Sequence, residues 1–337
     1  MSENAAPSAT EVAAGADGSP DSPFHAGELA LQERVGVRAK LDAWGRKGIR
    51  PFMPDQHRQF FAQLPCFFVG STDRHGRPWA SILAGAPGFI TSPDAKSLHV
   101  SARAMPGDPL AAALRDGAAL GGLGIELHTR RRNRVNGKAT LDPDGSGFVL
   151  SVDQSFGNCA QYIQARATTL TRSSPPNVAP AHRGTTFDDA MRRILASADT
   201  FFIASRHDGH PADPRNGVDV SHRGGRPGFV DLLDDRTLQW PDYRGNFFFN
   251  TLGNIALDPR CGLLFIDFER GGTLQLTGRG EILWEWDRSR TALRDAQRVV
   301  CFHLEEAVHI AQGLPFEWEF LGQAPQLADH GKGAPST

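Results

Sequence analysis

The chain has 337 residues, 40% of them hydrophobic and 22% charged, enough apolar material for two cores of ordinary domain size. A formal net charge of -2 sets up no global field for nucleic acid or an anionic membrane, so neither partner is expected. The 36 glycines and 23 prolines favour a turn-rich, strand-rich architecture over a helical bundle.

Met1–Pro23 is dominated by Ala, Ser, Gly, Pro, Asp and Glu, too polar to bury surface, so residues 1–25 are expected to be a disordered leader. Cys66, Cys159, Cys261 and Cys301 lie far apart with no CxxC pair and no secretory signal before them. Reduced thiols and a cytoplasmic location follow as the expectation. No apolar run approaches the roughly 20 residues that cross a bilayer.

The spacing predicts a helix over 29–44 and another over Pro54–Leu64, with Phe60, Phe61 and Leu64 on one face. CFFVGS, ASILAG, GFITS and SLHVSA, bounded by Gly, Pro and Asp, read as short strands. HTRRRNRVNGK (His128–Lys138) is the densest positive run and has three readings: a nucleic-acid surface, a charged strand with an Asn-Gly turn, or a strand whose arginines face an anionic cofactor or substrate. DPDGSGFVLSVD (Asp142–Asp153) places carboxylates in calcium-loop register, but strand-like flanks and a final Asp favour a hairpin turn, with no metal. QSFGNCAQYIQAR (Gln154–Arg166) carries Asn158 and Tyr162 and has two readings, a simple helix with a polar face or the lining for the ring edge of a cofactor.

Proline-rich RSSPPNVAPAHR marks a linker over 172–185. Thr186 and Asp189 then form a capping pair for a helix whose apolar face is Phe187, Met191, Ile194 and Leu195. His207, His210 and Asp213 fall in a Gly/Pro loop of ordinary solvated composition. DVSHRGGRPGFV (Asp219–Val230) groups Ser221, His222, Arg223 and Arg226 with glycine amides, a donor set suited to a phosphate dianion. In GNFFFNTLGN (Gly245–Asn254), Asn246, Asn250, Thr251 and Asn254 precede or open a short helix, where such groups cap it or help hold an anion. TLQLTGRGEILWEW alternates as a half-buried strand does, and residues 323–337 read as a flexible tail. Neither GxGxxG after a strand nor GxxxxGK[ST] occurs, so Rossmann and P-loop sites are not indicated.

The chain also repeats itself. LPCFFVGS matches ADTFFIAS with Phe67 on Phe201, an offset of 134, and APGFI matches RPGFV at 140. DAKSLHV matches DDRTLQW at 140, while LGIEL with LFIDF and RVNGKA with QLTGRG both fall at 141. Five matches in one order, with an offset that drifts by loop-sized steps, predict a duplicated β unit. The expected division is a helical lead-in and first unit over 26–171 and a second unit over 186–322.

Thr237–Leu283 carries a family resemblance: a strand (TLQWPD), a polar loop and short helix (GNFFFNTLGNIALDPR), a buried strand (CGLLFIDF) and a strand ending in TGRGEIL. This order resembles the FMN-binding split-barrel superfamily that includes pyridoxamine 5'-phosphate oxidase. The first half, through GDPLAAAL, LGIELHTRRRNRVNGKA and QSFGNCAQYIQ, resembles its divergent flavin-nucleotide-binding branch, and the likeness runs over roughly Phe52–Phe320. The resemblance implies a mainly β (α+β) fold of two tandem split β-barrels with short helices, a pseudo-dimer within one chain, with further homodimer formation open. It implies FMN as cofactor, with Trp240–Asp242 presenting backbone to the flavin, Asn250 and Thr251 at its phosphate, and Ser221 and Arg223 at phosphate or ribityl. The segment with Asn158 and Tyr162 would then line the ring edge. The family's Arg/Lys phosphate pair falls on Asn250 and Thr251, which shifts the positive charge to Arg223 or Arg226. The oxidase's carboxy-terminal substrate signature is not recognisable, which points away from a vitamin B6 enzyme. The implied function is an FMN-dependent oxidoreductase acting on a small molecule or with an electron-donor partner. A non-catalytic flavin, haem or deazaflavin binder is the alternative.

Overall fold

The computed structural model describes residues 22–171, 180–210, 213–245, 247–293 and 295–328. It is mainly β with short helices, and no helix among the described residues is long and apolar enough to cross a membrane. Three helices lead in: α1 (Ala26–Arg34), α2 (Arg38–Gly48) and α3 (Asp55–Ala62). The single helix expected over 29–44 is therefore two, because Gly36 adopts φ 70° between them, a left-handed conformation that ends a helix. Residues 1–21 of the expected leader lie outside the described residues, whereas Phe24 is fully buried beside Leu29 and Leu41, and His25 caps α1.

The first unit contains β1 (Cys66–Thr72), β2 (Pro78–Ala84), β3 (Ile90–Asp94), β4 (Ser97–Val100), the short α4 (Leu110–Ala113), β5 (Ala119–Glu126), β6 (Arg131–Leu141) and β7 (Phe148–Gly157). β8 (Ala165–Leu170) and β9 (His182–Gly184) follow, the latter inside the stretch expected as linker. The second unit contains α5 (Asp189–Ser197), β10 (Thr200–His207), β11 (Gly217–Gly224), β12 (Asp231–Leu232), β13 (Thr237–Asp242), α6 (Asn250–Leu257), β14 (Arg260–Asp267), β15 (Gly272–Leu283) and β16 (Arg298–Ile310). β17 (Phe316–Gly322) pairs with β8 in a ribbon of two strands. The cap of α5 is Asp188 rather than Thr186: Asp188 is the extended residue immediately before the helix, and its carboxylate accepts from Met191 N at 2.8 Å.

The two large sheets have one strand order. It is β2-β1-β5-β6-β7-β4-β3 in the first unit and β11-β10-β14-β15-β16-β13-β12 in the second, with β9 added at β16. The 142–153 segment forms the expected β6–β7 hairpin. Asn136-Gly137 is not a turn: it lies within β6, at an irregularity of register against β7, and the chain reverses earlier, where Arg130 takes φ 62°.

Each unit has its own core, and a third apolar cluster joins them. Phe68, Trp79 and Leu123 of the first unit pack in it with Phe202, Val220 and Leu264 of the second. Two glycines let the backbones close up. A Cβ on Gly121 would lie 2.7 Å from Val218 O, and one on Gly262 would lie 2.3 Å from Pro78 O. Gly121→Ala and Gly262→Ala are each expected to lower stability by about 1–3 kcal/mol in urea unfolding, because backbone must move aside. Gly48→Ala, where the added carbon meets nothing, should be near neutral; equal effects at all three positions would refute the close-approach account.

Candidate functional site

Strand β11 of the second unit lies against β6 of the first, and a cleft opens along this seam. Its walls are Arg132 and Arg134 on β6, the 158–162 segment after β7, Ser221–Gly224 on β11, the end of β13, the start of α6, and Arg298 on β16. Both units within one chain are thus needed to build it.

Four arginines in one cleft demand counter-charge. Arg134 is buried and donates from Nη1 to both oxygens of Asp219, at 2.8 and 2.9 Å, to Asn250 Oδ1 at 3.2 Å and from Nη2 to Ser221 Oγ. Burial pushes the Asp219 carboxyl upward, and Arg134 opposes that shift. Arg298 donates from Nε to Asp242 at 2.7 Å. These two pairs leave Arg132 and Arg223. Arg223 reaches Asp242 only at 4.0 Å and otherwise donates to its neighbour's carbonyl. The Arg132 side chain has no hydrogen-bond or ion-pair partner among the described residues, and its pKa is lowered to about 9 by burial first, then by Arg134 and Arg223.

Neutral donors join the two cations. His222 is 3% exposed, and both its ring nitrogens lack a partner. Burial, then Arg132 and Arg223, hold it well below the usual imidazole range, so it is neutral. Thr251 Oγ1 is also buried without a partner. Tyr162 stacks on Tyr243 with ring centroids 5.1 Å apart, Phe247 adds apolar wall, and Phe249 lies under the Arg298 guanidinium at 4.9 Å. Three of these residues have left-handed backbone: Tyr162 at φ 64°, Phe247 at 58° and Phe249 at 63°. Bulky side chains pay about 1–3 kcal/mol each for such conformations, which persist where surrounding structure imposes them, often at binding sites.

The sequence reading placed twelve residues at the site, and their fates differ. Ser221, His222, Arg223, Asp242, Asn250, Thr251, Asn158 and Tyr162 all line the cleft. Trp240 instead fills the second-unit core, edge-on to Phe201 at 5.1 Å, while Pro241 and Asp242 after it reach the wall. Arg226 turns away and donates to Leu327 O at 2.7 Å. Asn254 lies a turn further along α6 and donates to Ser205 Oγ at 3.0 Å. Asn246 lies outside the described residues. The 154–166 segment is not the helix of its first reading: β7 runs to Gly157 and Tyr162 turns left-handed. Of the three readings of the 128–138 run, Arg132 and Arg134 in the cleft fit the third. Arg298 and Tyr243 belong to no motif and were missed.

Behind the cleft a buried polar relay runs into the lead-in. Asn250, bonded to Arg134, donates to Glu28 of α1, and Glu28 accepts from His25 N at 2.9 Å. Burial raises Glu28 from 4.5 to about 8 and lowers His25 from 6.5 to about 3. The two act on stability with opposite sign. Folded Glu28 keeps a proton that the unfolded chain gives up near 4.5, so its contribution is full below that pH and is lost as pH climbs through about 8. His25, depressed, contributes above 6.5 and loses this as pH falls toward 3. Between about pH 6.5 and 8 only Glu28 of this pair titrates differently in the two states. His57, His207, His222 and His309 are also depressed and act alike in both proteins, so across that window the urea midpoint of the native chain should fall relative to that of Glu28→Gln. An unchanged slope in the variant would remove Glu28 from this role.

The described residues thus form a β fold with a cationic, partly aromatic cleft at the seam of two like-ordered sheets. Residues 187–307 match the family model described as pyridoxamine 5'-phosphate oxidase. That segment is nearly the whole second unit, and it places the unit in the FMN-binding split-barrel superfamily. Comparison with curated proteins finds no match. Among solved structures, HupZ of Group A Streptococcus is 17% identical, with 38% of this chain and 97% of that chain covered and a TM-score of 0.30. A putative pyridoxamine 5'-phosphate oxidase of Lactobacillus delbrueckii is 16% identical, covering 40% and 98%, with a TM-score of 0.28. An FAD-binding protein of Mesorhizobium loti is 11% identical, covering 38% and 96%, with a TM-score of 0.25.

Proposed function

We propose that the cleft binds flavin mononucleotide and that the chain is an FMN-dependent oxidoreductase of the pyridoxamine 5'-phosphate oxidase-like superfamily, acting on a small molecule or with an electron-donor partner. One observation carries the reading. After Arg134–Asp219 and Arg298–Asp242 are paired off, two cations remain beside unpartnered His222 and Thr251. A phosphate monoester brings about two negative charges and several acceptor oxygens, which matches that surplus. Arg132, Arg223 and Thr251 would hold the phosphate, and the Tyr162–Tyr243 pair with Phe247 and Phe249 would face the flat ring. The family match over the second unit agrees with a flavin ligand.

Bound flavin supplies hydride or electron transfer, and the protein's part is to bind, orient and surround it. Arg298 would also favour negative charge on the ring system, and neutral His222 can donate from one nitrogen and accept at the other. No nucleophile or triad enters this reading. We read the matching strand orders as duplication of one ancestral unit, which lets one chain supply both sides of the cleft.

His222 gives weight to one alternative, since a buried neutral imidazole with free nitrogens also suits a haem iron. Absorbance of the purified protein after addition of FMN, and of haem in parallel, separates the two. The proposal expects FMN to bind tightly and its visible bands to bleach and recover with a reductant and an oxidant. Haem binding with no FMN binding would replace it.

A further inference from the structure

The cleft has a counterpart position on the opposite side of the inter-unit seam. Pairing registers make the equivalence explicit. Ile82, Phe68, Leu123 and Arg134 form one row across β2, β1, β5 and β6. His222, Phe202, Leu264 and Gln275 form the matching row across β11, β10, β14 and β15. Phe68 and Phe202 stack face to face between the rows, centroids 3.6 Å apart. The crossings are reciprocal: Arg134 of the first unit donates to Ser221 of the second, and Gln275 of the second donates to Ser81 of the first at 2.9 Å.

Each group that makes the cleft attract an anion is missing from the counterpart. Gln275 stands for Arg134, and two residues earlier on the strand Thr273 stands for Arg132. On the facing strand Ile82 stands for His222 and Leu83 for Arg223. On the helix, the 140-residue offset puts Ala111 of α4 where α6 has Thr251. Ile82 and Leu83 are 1% exposed and belong to apolar clusters, so the position is filled as core. The chain also supplies its own acid there. Asp108, 3% exposed, accepts from Ser81 Oγ at 2.7 Å and from Leu110 N at 2.8 Å, using donors that an incoming anion would need.

We infer that the chain holds one flavin mononucleotide, in the cleft lined by Arg132 and Arg223, and that the counterpart across the seam is sealed against a second. This rests on the functional reading above. A second phosphate at the counterpart would meet a buried carboxylate without the equivalents of Arg132, Arg134 and Arg223, an arrangement that desolvation makes costly.

The test is a count of FMN bound per full-length chain at saturation, by calorimetric titration, for the native protein and for the Arg132→Ala/Arg223→Ala double variant. The expected counts are one and zero at FMN concentrations that saturate the native chain. Two per native chain, or one retained in the double variant, overturns the single-site inference and leaves flavin binding standing. No FMN bound by the native protein overturns the functional reading and this inference with it.

Discussion

Asp219→Ala is expected to destabilise the fold by about 3–5 kcal/mol, the usual penalty for leaving one member of a buried ion pair alone. Asp219 is 5% exposed and Arg134 is also 5% exposed, so water cannot replace the lost carboxylate. Arg134 would then stand buried beside Arg132 and Arg223, both of which it already depresses after the larger effect of burial. Removing both partners tells a different story. Arg134→Met/Asp219→Leu leaves no stranded charge and should recover most of the lost stability while still weakening the cleft, since Asn250 and Ser221 lose their anchor. Urea unfolding of the three proteins decides it. A small loss for Asp219→Ala, or a double variant worse than the single, would mean the pair is not the buried ion pair described.

Arg223→Ala and Arg132→Ala form the second large effect. Each removes a charge-assisted contact worth about 1.5–3 kcal/mol, so FMN affinity should fall roughly 10- to 150-fold per substitution. Both side chains are partly buried, but neither holds a structural ion pair closer than 4.0 Å, so folding should survive both changes. Riboflavin, which has the ring and ribityl chain without phosphate, supplies the control. Its weaker binding should change little in either variant. Equal losses for FMN and riboflavin would take the arginines away from the phosphate.

Much of the β architecture could be read from the residues because repeat and alternation are local. Short apolar runs bounded by Gly, Pro and Asp recur with nearly constant offset, and the shared strand order follows them. The β11 part of the cleft was readable for the same reason: Ser221, His222 and Arg223 are consecutive, so their grouping needs no tertiary knowledge. Arg132 and Arg134 were ambiguous, since alternation shows which residues share a face of β6 but not that β11 covers that face. Arg298 and Tyr243 reach the cleft only through long-range pairing of β13 with β16, which no local pattern carries. Trp240 rested on position in the family order, and Arg226 and Asn254 on local groupings of donor side chains. Their directions depend on the core around Phe201, on Leu327 and on Ser205, partners distant in sequence. The left-handed backbone at Tyr162 and Phe249 has no glycine to announce it, and at Tyr162 it falls in a segment with a helix-like polar pattern.

The cleft's assignment is tested most directly by a crystal structure of the full chain grown with FMN. The account predicts phosphate density between the Arg132 and Arg223 guanidinium groups, within hydrogen-bonding reach of Thr251 Oγ1, and the ring system beside Tyr162 and Tyr243. Flavin bound elsewhere on the chain, or reversed so that the arginines face only its ring, would contradict it.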